Sequence, residues 1–465
     1  MQMKPLHIGL LPLYIKLYDD VDPALRTLQM PFLSDAAKAL EAEGLTVTVT
    51  NVCRVKEEFE QAVALLNEQQ VSAVVTLHLA YSPSLEAIDA LAGLKAPIIL
   101  MDTTPTFDFI AAAGAQAIDR NHGIHGVQDL CSMLKRRGIP YRIACGPLAD
   151  GRVARQVAGF CRAARAAETM RHMKVGLIGG SFDGMGDFRL DAQTLKDVTG
   201  AEVVCPDPEE LRSLSDAVTD ADVDEQLAED ARQYTVEVSA PEHYRSAVKA
   251  GLALRRWAER NQIGAVTLNF MQLSKSTGLS KMPFAELSRM MAHGCGYAGE
   301  GDALTAALTG ALMTAYGTAG FVEIFCPDWA RGILLLSHMA EMNVALAEGK
   351  PLLTDVPFAF TDAGDTVGVF GRHRAGRAVL VNLAPLQPDR FSLLLTEVDM
   401  LTPEWDETAL RNQIRGWMKP RMPLPEFLRR FSLAGGTHHS ALVYNGDVDS
   451  LAAFGEMMGF SVTVL

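Results

Sequence analysis

Two acids and a group of histidines in the second half of the sequence have the chemistry of a divalent-metal centre. Glu300 sits between two glycines in GYAGEGDALTAAL, Glu323 lies 23 residues on inside the apolar run AGFVEIF, His338 follows in RGILLLSHMAEMNVAL, and His438 and His439 adjoin in AGGTHHSALVY. Carboxylates and imidazoles without thiolates form a hard-to-borderline donor set suited to Mn²⁺, Co²⁺ or Mg²⁺, with positions left for substrate oxygens. A structural zinc site would call for thiolates instead. Each residue also has a plainer role open to it. Glu300 can favour the positive end of a helix dipole, and Glu323, as a strand acid, can face solvent by alternation. His338, read on the apolar stripe of a helix, can be a core histidine. Adjacent histidines in a strand face opposite ways, so at most one is expected to enter a given site.

The elements that must position these residues fall into three textures. The first third alternates buried-strand runs (HIGLLPLYI, TVTVTNV, AVVTLHL, APIILMD) with amphipathic stretches such as PFLSDAAKALEAEG and FEQAVALLNEQ. That pattern predicts a parallel sheet with helices on both faces. The alternation restarts at KVGLIGG and returns at GAVTLNF, predicting a second α/β domain, and from about Asp355 runs such as AVLVNL and SALVYNG predict an antiparallel sheet or barrel. The expected fold is therefore α/β, two doubly wound, flavodoxin-like domains (1–173 and 174–330) followed by a β-rich, barrel-like domain (331–465) whose first helix carries His338. Asp302, with Thr305 three residues later, can cap a helix over ALTAALTGALMTAY and leave Glu300 ahead of its first turn. Because Gly299 and Gly301 reach dihedrals closed to other residues, that carboxylate can be aimed into a cavity. Ligands of open α/β sheets gather beyond the carboxyl ends of the strands, which makes LAYSPS, DTTPTFDF and GGSFDGMGDF candidate pocket walls.

Composition narrows the function. A chain of 465 residues, 48% hydrophobic and 21% charged, is long enough for about three domains and has the make-up of a globular protein. A formal charge of −14 with no basic run disfavours nucleic acid. No stretch approaches the roughly 20 apolar residues of a membrane helix, and the N-terminal MQMKPLHIGLLPLYIKLYDD reads as a first strand, not a leader. Seven scattered cysteines without a CxxC pair fit a reduced, cytoplasmic chain. No GxGxxG or Walker loop supports a nucleotide cofactor.

Five stretches in one order, RMMAHGCGYAGEGDALTAAL, GFVEIF, LLLSHMAEM, FSLLLTEVD and LAGGTHHS, resemble the L-arabinose isomerases and, more loosely, the L-fucose isomerases. The resemblance implies that Glu300, Glu323, His338 and His439 hold the metal and that both glutamates also transfer protons. It implies an aldose–ketose isomerase that moves a proton between C1 and C2 of an open-chain sugar through a cis-enediolate. It further implies a homo-oligomer, commonly a hexamer, with pockets completed by a neighbouring subunit. Substrate contacts would fall to Tyr81, Arg120, His122, Phe182, Phe270, Met339 and His438. The pocket walls depart from the family: LAYSP stands for HTFSP, with Leu79 replacing histidine and Tyr81 in the aromatic place; in IDRNHGI, Asp119 stands near the family's glutamine and Arg120 is new; and Phe182 takes a methionine place. A sugar site is selective because a hydroxyl left unpaired is costly. The substrate is therefore expected to differ from L-arabinose, as a deoxy sugar or one with an anionic group facing Arg120 or Lys16. The rival readings are a non-catalytic sugar-binding or regulatory protein, a sugar epimerase, and a hydride-shift isomerase.

Overall fold

The computed structural model describes residues 5–112, 114, 116–273 and 276–465, so the first four residues of the expected first strand lie outside the described residues. It divides into two compact units, residues 2–165 and Ala166–Leu465. The first unit holds β1 (Leu6–Leu13), β2 (Leu45–Val49), β3 (Ala73–His78), β4 (Ile98–Asp102) and β5 (Tyr141–Cys145), all parallel, in the order β2-β1-β3-β4-β5. This is the flavodoxin-like winding. Every residue of β3 is buried, as expected of a central parallel strand covered on both faces.

The second unit opens with another parallel sheet. It contains β6 (Lys174–Ile178) and β7 (Glu202–Val204); β8 (Thr235–Glu237) departs to a small separate sheet, and β9 (Ala265–Leu268) and β10 (Gly296–Gly299) complete the order β10-β9-β6-β7. Then come β11 (Ala319–Asp328), β12 (Ile333–Ser337), β13 (Ala347–Val356), β14 (Thr366–His373), β15 (Gly376–Gln387), β16 (Arg390–Leu401), β17 (Gly416–Pro420), β18 (His439–Tyr444) and β19 (Ser461–Val464). β13 and β14 join β8, while β15-β18-β11-β12-β17-β16 run antiparallel and close through a β15–β16 pairing into a six-stranded barrel. β19 adds to β16 in parallel outside the ring. Closure leaves those six strands without an open edge. The α/β class with a C-terminal antiparallel barrel is the architecture expected from the sequence.

Helix Ala303–Tyr316 packs against β6, β9 and β10 and also against β11, β15 and β18, and nearly every one of its residues is buried. A helix apolar all round is one covered on all sides. It thus ties the second parallel sheet to the barrel and fixes the loop that precedes it. Among the described residues no helix is long and apolar enough to cross a membrane.

One expected element is different. The stretch containing His338, expected as a helix, is strand β12 followed by a loop and a short 3₁₀ turn at Val344–Leu346. Leu334 and Leu336 enter the barrel core while β12 pairs with both β11 and β17. A short run of buried leucines satisfies helical spacing and a covered strand equally, and the partners decide between them.

Candidate metal centre

The centre grows out of two strand pairings and one tight loop. On β11, Glu323 lies opposite His439 of β18 on one side and Ser337 of β12 on the other, so His439 and the residue after Ser337, His338, are brought to the same carboxylate. Residues paired directly across an antiparallel ladder share a face. Glu300 arrives from the end of β10, on the loop before helix Ala303–Tyr316. Its φ of +63° is unusual for a residue with a side chain, and Gly301 follows at +82°. Such strain gathers where a side chain must be aimed. A Cβ on Gly299 would stand 2.7 Å from His338 Cε1 and 2.8 Å from Nε2. The glycine leaves the space that the imidazole occupies.

Four residues therefore converge. His439 Nε2 stands 3.5 Å from Glu300 Oε2, and His338 Nε2 stands 3.9 Å from Glu323 Oε2. Donor atoms of Glu323, His338 and His439 lie within 4.8 Å of one another, as do those of Glu300, His438 and His439. His438 also comes close: its Nε2 is 3.7 Å from Glu300 Oε2, and its ring centroid is 4.2 Å from that of His439. The expectation that only one of the two histidines enters the site is corrected here. β18 begins at His439, so His438 precedes the ladder and the alternation of strand side chains does not govern it. Nor does Glu323 turn to solvent, since its side chain is only 20% exposed.

Behind each buried imidazole stands a buried carboxylate. His338 Nδ1 donates to Glu341 Oε1 at 2.7 Å, and the same oxygen accepts the Tyr297 hydroxyl at 2.6 Å. His439 Nδ1 donates to Asp302 Oδ2 at 2.9 Å, while Asp302 Oδ1 accepts the Thr305 amide at 2.9 Å and caps the helix. With Nδ1 holding the proton, each ring turns Nε2 toward the centre, the arrangement that orients histidine ligands. Phe321 meets both rings edge-on at 4.8 and 4.9 Å, and Phe188 stacks on His439 at 5.0 Å.

The electrostatics of the two glutamates differ. Burial alone would raise the Glu300 carboxyl, but His438 and His439 outweigh it and hold Glu300 down at about 2. Burial prevails at Glu323, which is raised despite the pull of the imidazoles. Burial disfavours the charged form of His439, yet Asp302 and Glu300 raise it to about 9. His439 Nε2 is itself buried without a hydrogen bond. An unpartnered buried nitrogen facing acidic oxygens is what a cation site looks like when built from this donor set, and the residues fit a divalent ion.

The other expected site residues fall in two places. Phe182 and Phe270 belong to the second unit with ring centroids 5.5 Å apart, and the Phe182 amide donates to the Glu300 carbonyl at 2.9 Å. Met339 follows His338 directly and is half-buried. Tyr81, Arg120 and His122 belong to the first unit. There Tyr81 stacks on His125 at 4.9 Å, His122 contacts the Tyr18 hydroxyl at 3.1 Å, and Arg120 is exposed. Lys16 pairs with Asp20 at 2.7 Å. A cleft of about 810 Å³ in the first unit, lined among others by Arg26, Met30, Arg54 and Leu65, contains none of the metal-centre donors. Its size carries less weight than the convergence of ligand atoms. Sequence reading missed Glu341, Tyr297 and Asp187 and saw only a cap in Asp302. The available signal for Glu341 was an acid three residues beyond His338 in an otherwise apolar run.

Paired acids and imidazoles thus gather where an α/β scaffold joins a barrel, a donor set that fits a divalent-metal centre. Residues 190–317 match the L-arabinose isomerase central domain and residues 318–461 the L-arabinose isomerase C-terminal domain. The chain is 26% identical over 415 residues to the L-arabinose isomerase of Clostridium beijerinckii, covering 86% of this chain and 82% of that protein. Against that of Geobacillus thermodenitrificans it is 27% identical over 415 residues, covering 85% and 81%. The chain belongs to the L-arabinose isomerase family.

Proposed function

We propose that this protein is a divalent-metal-dependent aldose–ketose isomerase whose sugar is not L-arabinose but a deoxy or anionic relative. The observation that carries the reading is that two candidate donor groups, Glu323 with His338 and Glu300 with His438, share His439, whose Nε2 has no hydrogen-bond partner. Glu300, Glu323, His338 and His439 hold the ion, with Mn²⁺ preferred and Co²⁺ or Mg²⁺ as alternatives. When bound, the ion supplies Lewis-acid stabilisation of the negative charge that develops as a proton leaves carbon next to a carbonyl. One glutamate takes the proton from one carbon and returns it to the other, while the second carries the hydroxyl proton between the two oxygens, giving a cis-enediolate route. Glu341 and Asp302 keep the imidazoles aimed. Tyr81, Arg120, His122, Phe182, Phe270, Met339 and His438 contact the sugar, and by family resemblance the working form is a cytoplasmic homo-oligomer, a hexamer first of all. The change in side chains at Leu79, Asp119, Arg120 and Phe182 supports a substrate switch, because polar contacts set sugar choice.

The test is a panel of neutral, deoxy and acidic aldoses incubated with the EDTA-stripped protein and with the Mn²⁺-loaded protein, scored for ketose. Metal-dependent turnover is expected, reduced about 10²–10⁴-fold in Glu300→Gln or Glu323→Gln. Metal binding without conversion of any aldose would overturn the assignment and leave a sugar-binding protein. Solvent deuterium entering at C1 or C2 would favour proton transfer over a hydride shift.

A further inference from the structure

We propose that Asp187 is a positioning residue for this site, holding His438 so that its Nε2 reads a sugar hydroxyl, and that His438 is not a metal ligand; the proposal rests on the isomerase reading above. One oxygen, Asp187 Oδ2, accepts both the His438 backbone amide at 3.0 Å and His438 Nδ1 at 2.6 Å. Two bonds from one residue to one atom fix the backbone and the ring together. A carboxylate can only accept, so the proton stays on Nδ1 and Nε2 faces away from Asp187, where Glu300 Oε2 stands 3.7 Å off.

Exposure separates this pair from the two behind the metal ligands. His338 with Glu341 and His439 with Asp302 are at most 6% exposed, whereas His438 is 33% and Asp187 39% exposed. A ligand coming from solvent can reach the outer pair. The segment that carries Asp187 is the glycine-rich stretch GGSFDGMGDF, and it is anchored on the centre at both ends. Ser181 Oγ donates to the Gly301 carbonyl at 3.0 Å, the Phe182 amide donates to the Glu300 carbonyl at 2.9 Å, and Phe188 stacks on His439. The position of Asp187 relative to Glu300 is thereby set by the loop contacts as well as by His438, whose ring also lies 5.5 Å from that of Phe188. The donor atoms of His438, Glu300 and His439 are also close enough to share an ion. Coordination by His438 is therefore the outcome the experiment must separate.

Asp187→Ala removes the clamp, and Asp187→Asn keeps an acceptor of the same size. Mn²⁺ is titrated into each protein by calorimetry, and ribitol, L-arabitol and xylitol are then titrated into the Mn²⁺-loaded proteins. The expected result is an unchanged Mn²⁺ affinity, polyol binding weakened about tenfold or more in Asp187→Ala, and a smaller loss in Asp187→Asn. For an aldose that is turned over, KM rises while kcat holds, the signature of a contact made equally in ground and transition states. Parallel loss of Mn²⁺ affinity would overturn the proposal by placing Asp187 behind a metal ligand. So would polyol affinity equal to the unaltered protein in both variants, or no polyol binding by the unaltered protein. If Asp187→Ala does not fold, Asp187→Asn still reads the split between metal and polyol. Polyol binding that depends on Asp187 without isomerisation of any aldose would defeat the isomerase reading and leave the clamp standing.

Discussion

Each buried imidazole of the centre has one nitrogen tied to an acid that touches no solvent, and the ligand is only as well aimed as that acid. Glu341→Gln and Asp302→Asn leave all four proposed ligands in place. We expect each to weaken Mn²⁺ binding about 10–100-fold, as loss of an outer partner generally does, measurable by calorimetry or chelator competition. Unchanged affinity in both would show that the two acids only fill space. Asp302 also makes binding depend on pH. Burial works against a charged His439, but the neighbouring acids hold the imidazole up at about 9, so the metal-free site binds a proton that the metal must displace. Mn²⁺ affinity should accordingly fall as the pH is lowered from 8 to 6, by at most about tenfold per unit for one proton, and Asp302→Asn should flatten that slope. Calorimetry in buffers of different ionisation enthalpy counts the released proton. At this scale the acids and imidazoles that the structure brings together were conspicuous in the sequence, because they interrupt apolar runs. Glu341 and Asp187 were not, since each is defined by a partner: His338 nearby, and His438 some 250 residues away.

The loop GYAGEGD shows how an element delivers a side chain. Gly299 and Gly301 do different jobs, and substituting each should fail differently. In Gly299→Ala the new methyl would overlap the His338 ring at 2.7 and 2.8 Å, displacing a proposed ligand while the strand keeps its conformation. Metal affinity should drop with little change in thermal stability. Gly301→Ala meets a positive φ of +82° and would collide with the Gly180 carbonyl and, at 2.5 Å, with Ser181 Cα. That variant should lose stability by about 1 kcal/mol or more, together with the hold of the Ser181–Phe188 segment on the loop. Thermal melts beside metal titrations separate the two, and identical behaviour would sink the division of labour. The parallel sheets were legible because covered strands and amphipathic helices differ in length and period. The β12 leucines were not, because burial on both faces erases the alternation that marks a strand. Barrel closure was equally hidden. The register that sets Glu323 opposite His439 arises from pairing across more than 100 residues, and no local pattern encodes it.

At the scale of the whole chain, the metal ion and acid should act on the stability of different units. All four proposed metal residues lie in Ala166–Leu465, and so do all four tryptophans, at positions 257, 329, 405 and 417. Tryptophan fluorescence thus reports on that unit, whereas far-UV circular dichroism sees both. Ion binding to the folded state alone stabilises it by about 2.7 kcal/mol at a concentration 100 times Kd, so Mn²⁺ should raise the fluorescence-detected urea midpoint. The first unit has an acid liability of its own. Burial depresses the His78 imidazole to about 3, and neither ring nitrogen has a hydrogen-bond partner. The unfolded chain takes up that proton below about 6.5 while the folded unit refuses it, so the contribution to stability is intact at pH 7 and is lost as the pH falls from about 6.5 toward 3. His78→Leu removes the titrating group. In urea melts at pH 7 and pH 5, the variant should shrink the acid-induced loss seen by circular dichroism and leave the fluorescence midpoint in place. A single coincident transition, moved alike by Mn²⁺ and by His78→Leu, would mean that the units unfold as one body and that the separation of their roles fails.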